Sequence, residues 1–139
     1  IAIYFEQEAM DNTAAFFYAQ AEEENEHGMK LLRYVVETGA DAELLAIPAP
    51  VAKIKSAEDA FQTSLKWELE VTGQINALME MAKQQKDYLA ENFLQWFVNE
   101  QLEEVTTMEK YVNLLRKMGD RNVFMLEQLI QRPDNSSLQ

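Results

Sequence analysis

Apolar residues recur at every third or fourth position over three long stretches of the chain, and this spacing predicts amphipathic helices. The helices are predicted over about 13–37, 57–84 and 88–118, with a short turn at Lys86-Asp87. Between the first two lies a segment, 40–55, with two of the three prolines and no sustained periodicity. A segment of this length can cross a bundle lengthwise. We therefore predict an all-α four-helix bundle with one long crossover loop.

Residues that start or stop helices support these boundaries. Ser56 and Asp59 resemble a capping box, with Asp in place of the usual Glu. The segment 11–13 has the composition of a turn and an N-cap. Gly39 and Gly119 stand where a left-handed residue commonly ends a helix.

The two ends of the chain are less regular than its middle. Residues 1–10 resemble the middle of a helix and lack an initiating Met, so we expect a chain truncated within its first helix. A shorter helix is predicted over about 121–131, before Pro133, and the polar tail 134–139 is expected to fray. The length fits a single domain over 1–139.

The charge and the composition limit the possible functions. The net charge is −12, with 24 acidic and 12 basic residues, which argues against nucleic acid as a partner and suits attraction of cations or simple solubility. No cysteine is present, so disulfides and thiolate metal sites are excluded and a cytoplasmic location fits. No apolar run is long enough to span a membrane. The two tryptophans and seven methionines are expected to pack in the core.

Polar side chains interrupt the apolar stripe near the middle of each long helix. The first helix has Glu24 and His27, the second has Glu68, and the third has Gln101 and Glu104. Because the interruptions lie at similar levels, we expect these groups to meet in the bundle. Converging buried carboxylates repel one another, and a bound cation removes that repulsion.

Glu24 and His27 are one helical turn apart, so both side chains can reach one metal ion. Neutral imidazole is a suitable ligand for iron or zinc. His27 is the only histidine in the chain, so one subunit cannot form a symmetrical site with two Glu-x-x-His motifs. The pattern predicts an asymmetric site whose second metal position is richer in oxygen ligands.

Simpler interpretations of the same residues stay open. Glu24 and His27 could lie on a solvated helix face, and Glu68 could form a buried salt bridge. Gln101 could be a satisfied core amide, and Glu104 could be solvated at the border of its stripe.

Three segments resemble the second, third and fourth helices of non-haem ferritins of the prokaryotic type. They are AEEENEHGMKLLRYV, KWELE and NFLQWFVNEQLEEV. The resemblance implies an iron-storage subunit with ferroxidase activity, which oxidises Fe(II) with dioxygen and passes Fe(III) to a mineral core. It also implies a homo-oligomeric shell of 24 subunits.

The resemblance further implies roles for single residues. Glu24 and His27 would bind the first iron of a diiron site, with Glu24 bridging to the second, and Glu68 would bind the second iron. Gln101 would lie beside the site and is counted among its catalytic and metal-binding residues. Four further acidic residues match an additional iron site: Glu104, Glu23, Glu100 and Glu103. Glu26 matches an acidic position on the inner surface of the shell.

The chain departs from the family at its first helix. The family supplies a Glu and a Tyr from a part of that helix that would precede Ile1, and Glu6 and Glu8 lie too far along to replace them. We therefore expect an incomplete diiron site and impaired oxidation in this chain as given. One alternative is a structural shell subunit without oxidation. Another is a diiron enzyme acting on an organic substrate, which the lack of a second Glu-x-x-His motif disfavours.

Overall fold

The computed structural model describes residues 1–47, 49–50, 53–119 and 123–130. Within these ranges there are five helices and no β-strand, which confirms the predicted all-α class. The helices are α1 (Ala2–Gln7), α2 (Asp11–Glu37), α3 (Ala57–Gln85), α4 (Tyr88–Met118) and α5 (Phe124–Leu129). Pro133, the tail predicted to fray and the predicted start of the last helix near 121 lie outside the described residues. No described helix is long and apolar enough to cross a membrane.

The helices α1, α2 and α5 form one compact unit. The ring of Phe5 on α1 is fully buried and stacks on Phe17 of α2, with ring centres 5.4 Å apart and an interplanar angle of 8°. The hydroxyl of Tyr18 donates a hydrogen bond of 2.9 Å to the carboxylate of Glu6, and this bond raises the pKa of Tyr18. The short helix α1 is thus held against the first turns of α2.

The beginning of α2 differs from its prediction. The helix begins at Asp11 instead of Thr13, and its N-cap residue, Met10, makes no capping hydrogen bond with its side chain. The acceptor comes from α5, because the carboxylate of Glu127 accepts from the backbone N–H groups of Asn12 and Thr13. The Thr13 hydroxyl donates to the same carboxylate at 2.8 Å. The expected local cap is therefore wrong, and α5 is fastened to the positive end of the α2 dipole.

The helices α3 and α4 form the second compact unit. Lys86 ends α3 in the left-handed conformation, with φ of 57°. The side chain of Asp87 then accepts from the N–H of Ala90 at 3.0 Å and caps α4. The predicted turn at Lys86-Asp87 is confirmed, and so short a turn returns α4 antiparallel along α3.

The remaining helix ends follow the sequence signals closely. The Ser56 hydroxyl accepts from the N–H of Asp59 at 3.1 Å, which confirms this N-cap. The Asp59 carboxylate accepts from the N–H of Lys55 at 2.9 Å, one residue earlier than in a standard capping box. Gly39 and Gly119 have φ values of 81° and 66° just beyond the ends of α2 and α4, as predicted.

The apolar stripe predicted for α4 is buried along its whole length. Its members are Leu94, Phe97, Gln101, Glu104, Met108, Tyr111 and Leu115. On α3 the predicted stripe is buried at Phe61, Glu68 and Ile75. Its other members are only half-buried: Leu65, Thr72 and Met79. Phe61 packs against Tyr111 with ring centres 5.2 Å apart, and burial raises the pKa of the Tyr111 hydroxyl.

The expectation that tryptophans and methionines lie in the core is only partly correct. Met108 is buried, and the Trp96 ring meets Phe97 edge-on at 4.8 Å. By contrast, Trp67 is 62% exposed and Met81 is 55% exposed. Trp67 lies one residue before the buried Glu68, so it points about 100° away around the helix.

Candidate metal site

The first candidate pair lies on α2. The Nδ1 atom of His27 is 3.7 Å from Oε2 of Glu24, so the expected meeting of the two side chains across one turn is confirmed. The side chain of His27 is 13% exposed and that of Glu24 is 46% exposed.

Glu24 is more exposed than its place in an apolar stripe predicts. Within its own unit, α1 reaches Phe17 and α5 reaches Thr13, so both short helices pack on the first turns of α2. The middle of α2, where Glu24 lies, receives no such cover from them.

The second candidate cluster lies between α3 and α4. Glu68, Gln101 and Glu104 are each 5% exposed. The amide nitrogen of Gln101 donates to Oε2 of Glu68 at 3.4 Å, so the predicted register of these two residues is confirmed. Glu104 follows Gln101 by one helical turn on α4 and shares its buried face. The two helices thus hold a buried carboxylate against a buried amide.

Thr72 joins this cluster, although it was not among the site residues predicted from the sequence. Its hydroxyl lies 2.7 Å from Oε1 of Gln101 and 2.8 Å from the backbone carbonyl oxygen of Glu68, so its one proton has two acceptors within reach. The available signal was its position four residues after Glu68 on the same helix face.

The other predicted acidic residues lie nearer to solvent. Glu23, Glu26 and Glu103 are exposed and Glu100 is partly buried. Glu23 accepts a local hydrogen bond of 2.6 Å from the amide of Gln20. In the part of the chain that the structure describes, no three His, Asp or Glu side chains are grouped closely enough to hold a metal ion. An additional iron site formed by these residues stays a prediction.

The chemistry of these donors fits iron. Carboxylate oxygen and neutral imidazole nitrogen are common ligands of Fe(II), and the chain offers no competing thiolate. A buried carboxylate such as Glu68 needs hydrogen bonds or a cation to remain charged, and Gln101 supplies one such bond. Side chains of types that can bind a divalent cation are thus present within each unit taken by itself.

The similarity of this chain to known proteins extends over the helices that carry both candidate clusters. A sequence profile of the ferritin-like domain matches residues 1–118. The chain is 41% identical over 120 residues to the bacterial non-heme ferritin of Staphylococcus aureus (strain USA300), across 86% of the chain and 72% of that protein. It is 38% identical over 120 residues to the bacterial non-heme ferritin of Staphylococcus haemolyticus (strain JCSC1435). The fold is similar to an open pore ferritin from the hyperthermophilic archaeon Archaeoglobus fulgidus, with a TM-score of 0.87, 34% identity and coverage of 93% and 81% of the two chains.

Proposed function

The chain belongs to the ferritin family, and from that premise we propose that it is an iron-storage subunit that oxidises Fe(II) with dioxygen. The predicted ferritin-like bundle class agrees with the structural match. The observation that carries the proposal is the buried Glu68 carboxylate, held by the Gln101 amide within a ferritin fold. Burial makes the charged form of a carboxylate costly and a bound cation offsets that cost, so Glu68 is a suitable cation ligand.

The family resemblance assigns the individual roles in this proposal. Glu24 and His27 bind one Fe(II), Glu24 also serves the second, and Glu68 binds the second. The 3.7 Å approach of His27 to Glu24 supports the first part, because one ion can contact both side chains from a single turn. Two Fe(II) give two electrons to one dioxygen, which takes up two protons and leaves as hydrogen peroxide, and the protein contributes charge and geometry to that transfer.

We propose that the acidic residues outside these pairs assist transfer of iron from the diiron site to the mineral core. Glu104, Glu100, Glu23 and Glu103 present only oxygen donors, which hold iron less tightly than a site with imidazole and exchange it more readily. The Fe(III) product then passes to a mineral core inside a shell of 24 identical subunits. The cytoplasm is the proposed location.

The test is aerobic oxidation of Fe(II), followed by the absorbance of Fe(III) after rapid mixing. Glu24→Ala and His27→Ala should each lower the initial rate by at least roughly tenfold, because even indirect partners of a metal ligand commonly have that effect. Glu22→Ala is the matched control, since it removes the same charge from an exposed position on the same helix. It should oxidise iron as the parent does.

The alternative function predicts a different result in the same experiment. A structural shell subunit would show equally slow oxidation in the parent, in Glu24→Ala and in Glu22→Ala. Equal rates would therefore contradict the proposed ferroxidase site and favour the structural role.

A further inference from the structure

The hydroxyl of Thr72 faces two hydrogen-bond acceptors but has only one proton to donate. One acceptor is Oε1 of Gln101 at 2.7 Å, on the neighbouring helix α4. The other is the backbone carbonyl oxygen of Glu68 at 2.8 Å, one turn earlier on α3. The bond to Gln101 has a consequence beyond the local helix, because it decides which way the Gln101 amide points.

The amide of Gln101 has a donor end and an acceptor end. When Thr72 binds the oxygen, the nitrogen is left to face Oε2 of Glu68, where it lies at 3.4 Å. The reversed amide would place its oxygen against the Glu68 carboxylate, so that two acceptors would meet. Gln101 and Glu68 are each only 5% exposed, so little water is available to relieve that repulsion.

We propose that Thr72 is a positioning residue that fixes the Gln101 amide, so that the amide nitrogen holds the Glu68 carboxylate ready for a divalent cation. Thr72 does not touch the cation. Gln101 acts through its nitrogen, since its oxygen is engaged by Thr72. The inference rests on the proposed function, which assigns Glu68 to iron.

A purely structural role for Thr72 makes different predictions. A threonine in a helix commonly donates to the carbonyl four residues earlier, and this bond has only a small effect on the helix. If that were its whole role, the effect of removing the hydroxyl would not depend on whether Gln101 is present. Dependence on Gln101 therefore separates positioning from a local helix contact.

The test uses binding of Co(II), a redox-inert probe whose visible absorption reports its ligands. Thr72→Val keeps the shape of the side chain and removes the hydroxyl, and we expect it to weaken Co(II) binding by roughly tenfold, the lower range for an indirect partner of a metal ligand. Thr72→Ser restores the hydroxyl and should restore binding. Thr106→Val, at an exposed threonine on α4, is the matched control and should bind as the parent does.

A double-mutant cycle shows whether Thr72 acts through Gln101. In a Gln101→Leu background, Thr72→Val should change Co(II) binding by less than about twofold, because the group that it orients is gone. Parent-like binding by Thr72→Val would overturn the inference. So would an equal loss in both backgrounds.

Crystal structures of the metal-free parent and of Thr72→Val test the positioning without any cation. The Gln101 nitrogen should lie at the Glu68 carboxylate in the parent and leave it in the variant. An unmoved Gln101 in the variant would overturn the inference. A parent that binds no Co(II) would instead contradict the proposed function, while these crystals would still decide the role of Thr72.

Discussion

Replacement of Glu127 by Ala should loosen the first turn of α2, although the two sites are far apart in the sequence. The Glu127 carboxylate accepts from the backbone N–H groups of Asn12 and Thr13 and from the Thr13 hydroxyl. Alanine removes all three acceptor contacts. Met10 at the N-cap position cannot substitute as the acceptor, because its side chain has no polar group.

The expected magnitude follows from these contacts. Loss of an N-cap acceptor costs about 0.5–2 kcal/mol. Thr13 is fully buried, and a buried donor left without a partner costs about 1–3 kcal/mol. The two contributions overlap, so we expect about 2 kcal/mol, or roughly thirtyfold in the equilibrium for local opening.

Native-state hydrogen exchange measures this opening directly. The amides of Asn12 and Thr13 should exchange roughly thirtyfold faster in Glu127→Ala, while amides in the middle of α4 should be unchanged. Glu127→Gln keeps one oxygen acceptor but loses the charge beside the helix dipole, so its effect should be intermediate. The matched control is Gln128→Ala, at an exposed position on the same short helix. If Glu127→Ala exchanged like Gln128→Ala, Glu127 would not cap α2.

Three further predictions concern the α3–α4 unit. Phe61→Ala removes a fully buried ring and should lower the unfolding free energy by about 3–5 kcal/mol, and a loss below 1 kcal/mol in urea titrations would contradict the assigned packing. Burial raises the pKa of Tyr111 above its ordinary value of about 10, because the charged form is disfavoured in the folded state. The contribution of neutral Tyr111 to the unfolding free energy is therefore fully present below about pH 10 and is lost as the pH rises further. Tyr111→Phe should reduce that alkaline loss, and an unchanged pH profile would contradict this cause. Lys86→Gly relieves a left-handed φ of 57° and should stabilise the turn by about 0.5–1 kcal/mol after the entropy of glycine is counted, and a lower Tm would contradict this.

The sequence predicted the α3–α4 unit well because its helices are specified locally. The seven-residue stripe of α4 follows from the helical period alone, and its buried positions agree with the structure. Ser56 caps α3 through an N–H three residues away, and the short Lys86-Asp87 turn leaves only an antiparallel arrangement. Such contacts can be inferred from spacing.

Other features depend on tertiary contacts between residues far apart in the sequence, which the spacing of residues does not reveal. The start of α2 was predicted two residues late because its acceptor, Glu127, comes from the far end of the chain. Trp67 was expected in the core because of its large apolar side chain, but it lies on an exposed face of α3.

The candidate site likewise has features that the spacing of residues predicts and one feature that it does not. The approach of Glu24 and His27 follows from one helical turn, and the pairing of Glu68 with Gln101 follows from the matched levels of two stripes. The role of Thr72 depends on the direction of one hydroxyl, which a sequence does not specify.

The most direct test of iron binding is anomalous diffraction at the iron edge from crystals soaked with Fe(II) without oxygen. We expect one anomalous peak at bonding distance from Glu24 and His27 and another at bonding distance from Glu68. Absence of anomalous density at both positions, in crystals whose mother liquor contains excess Fe(II), would contradict the assignment of these residues to iron.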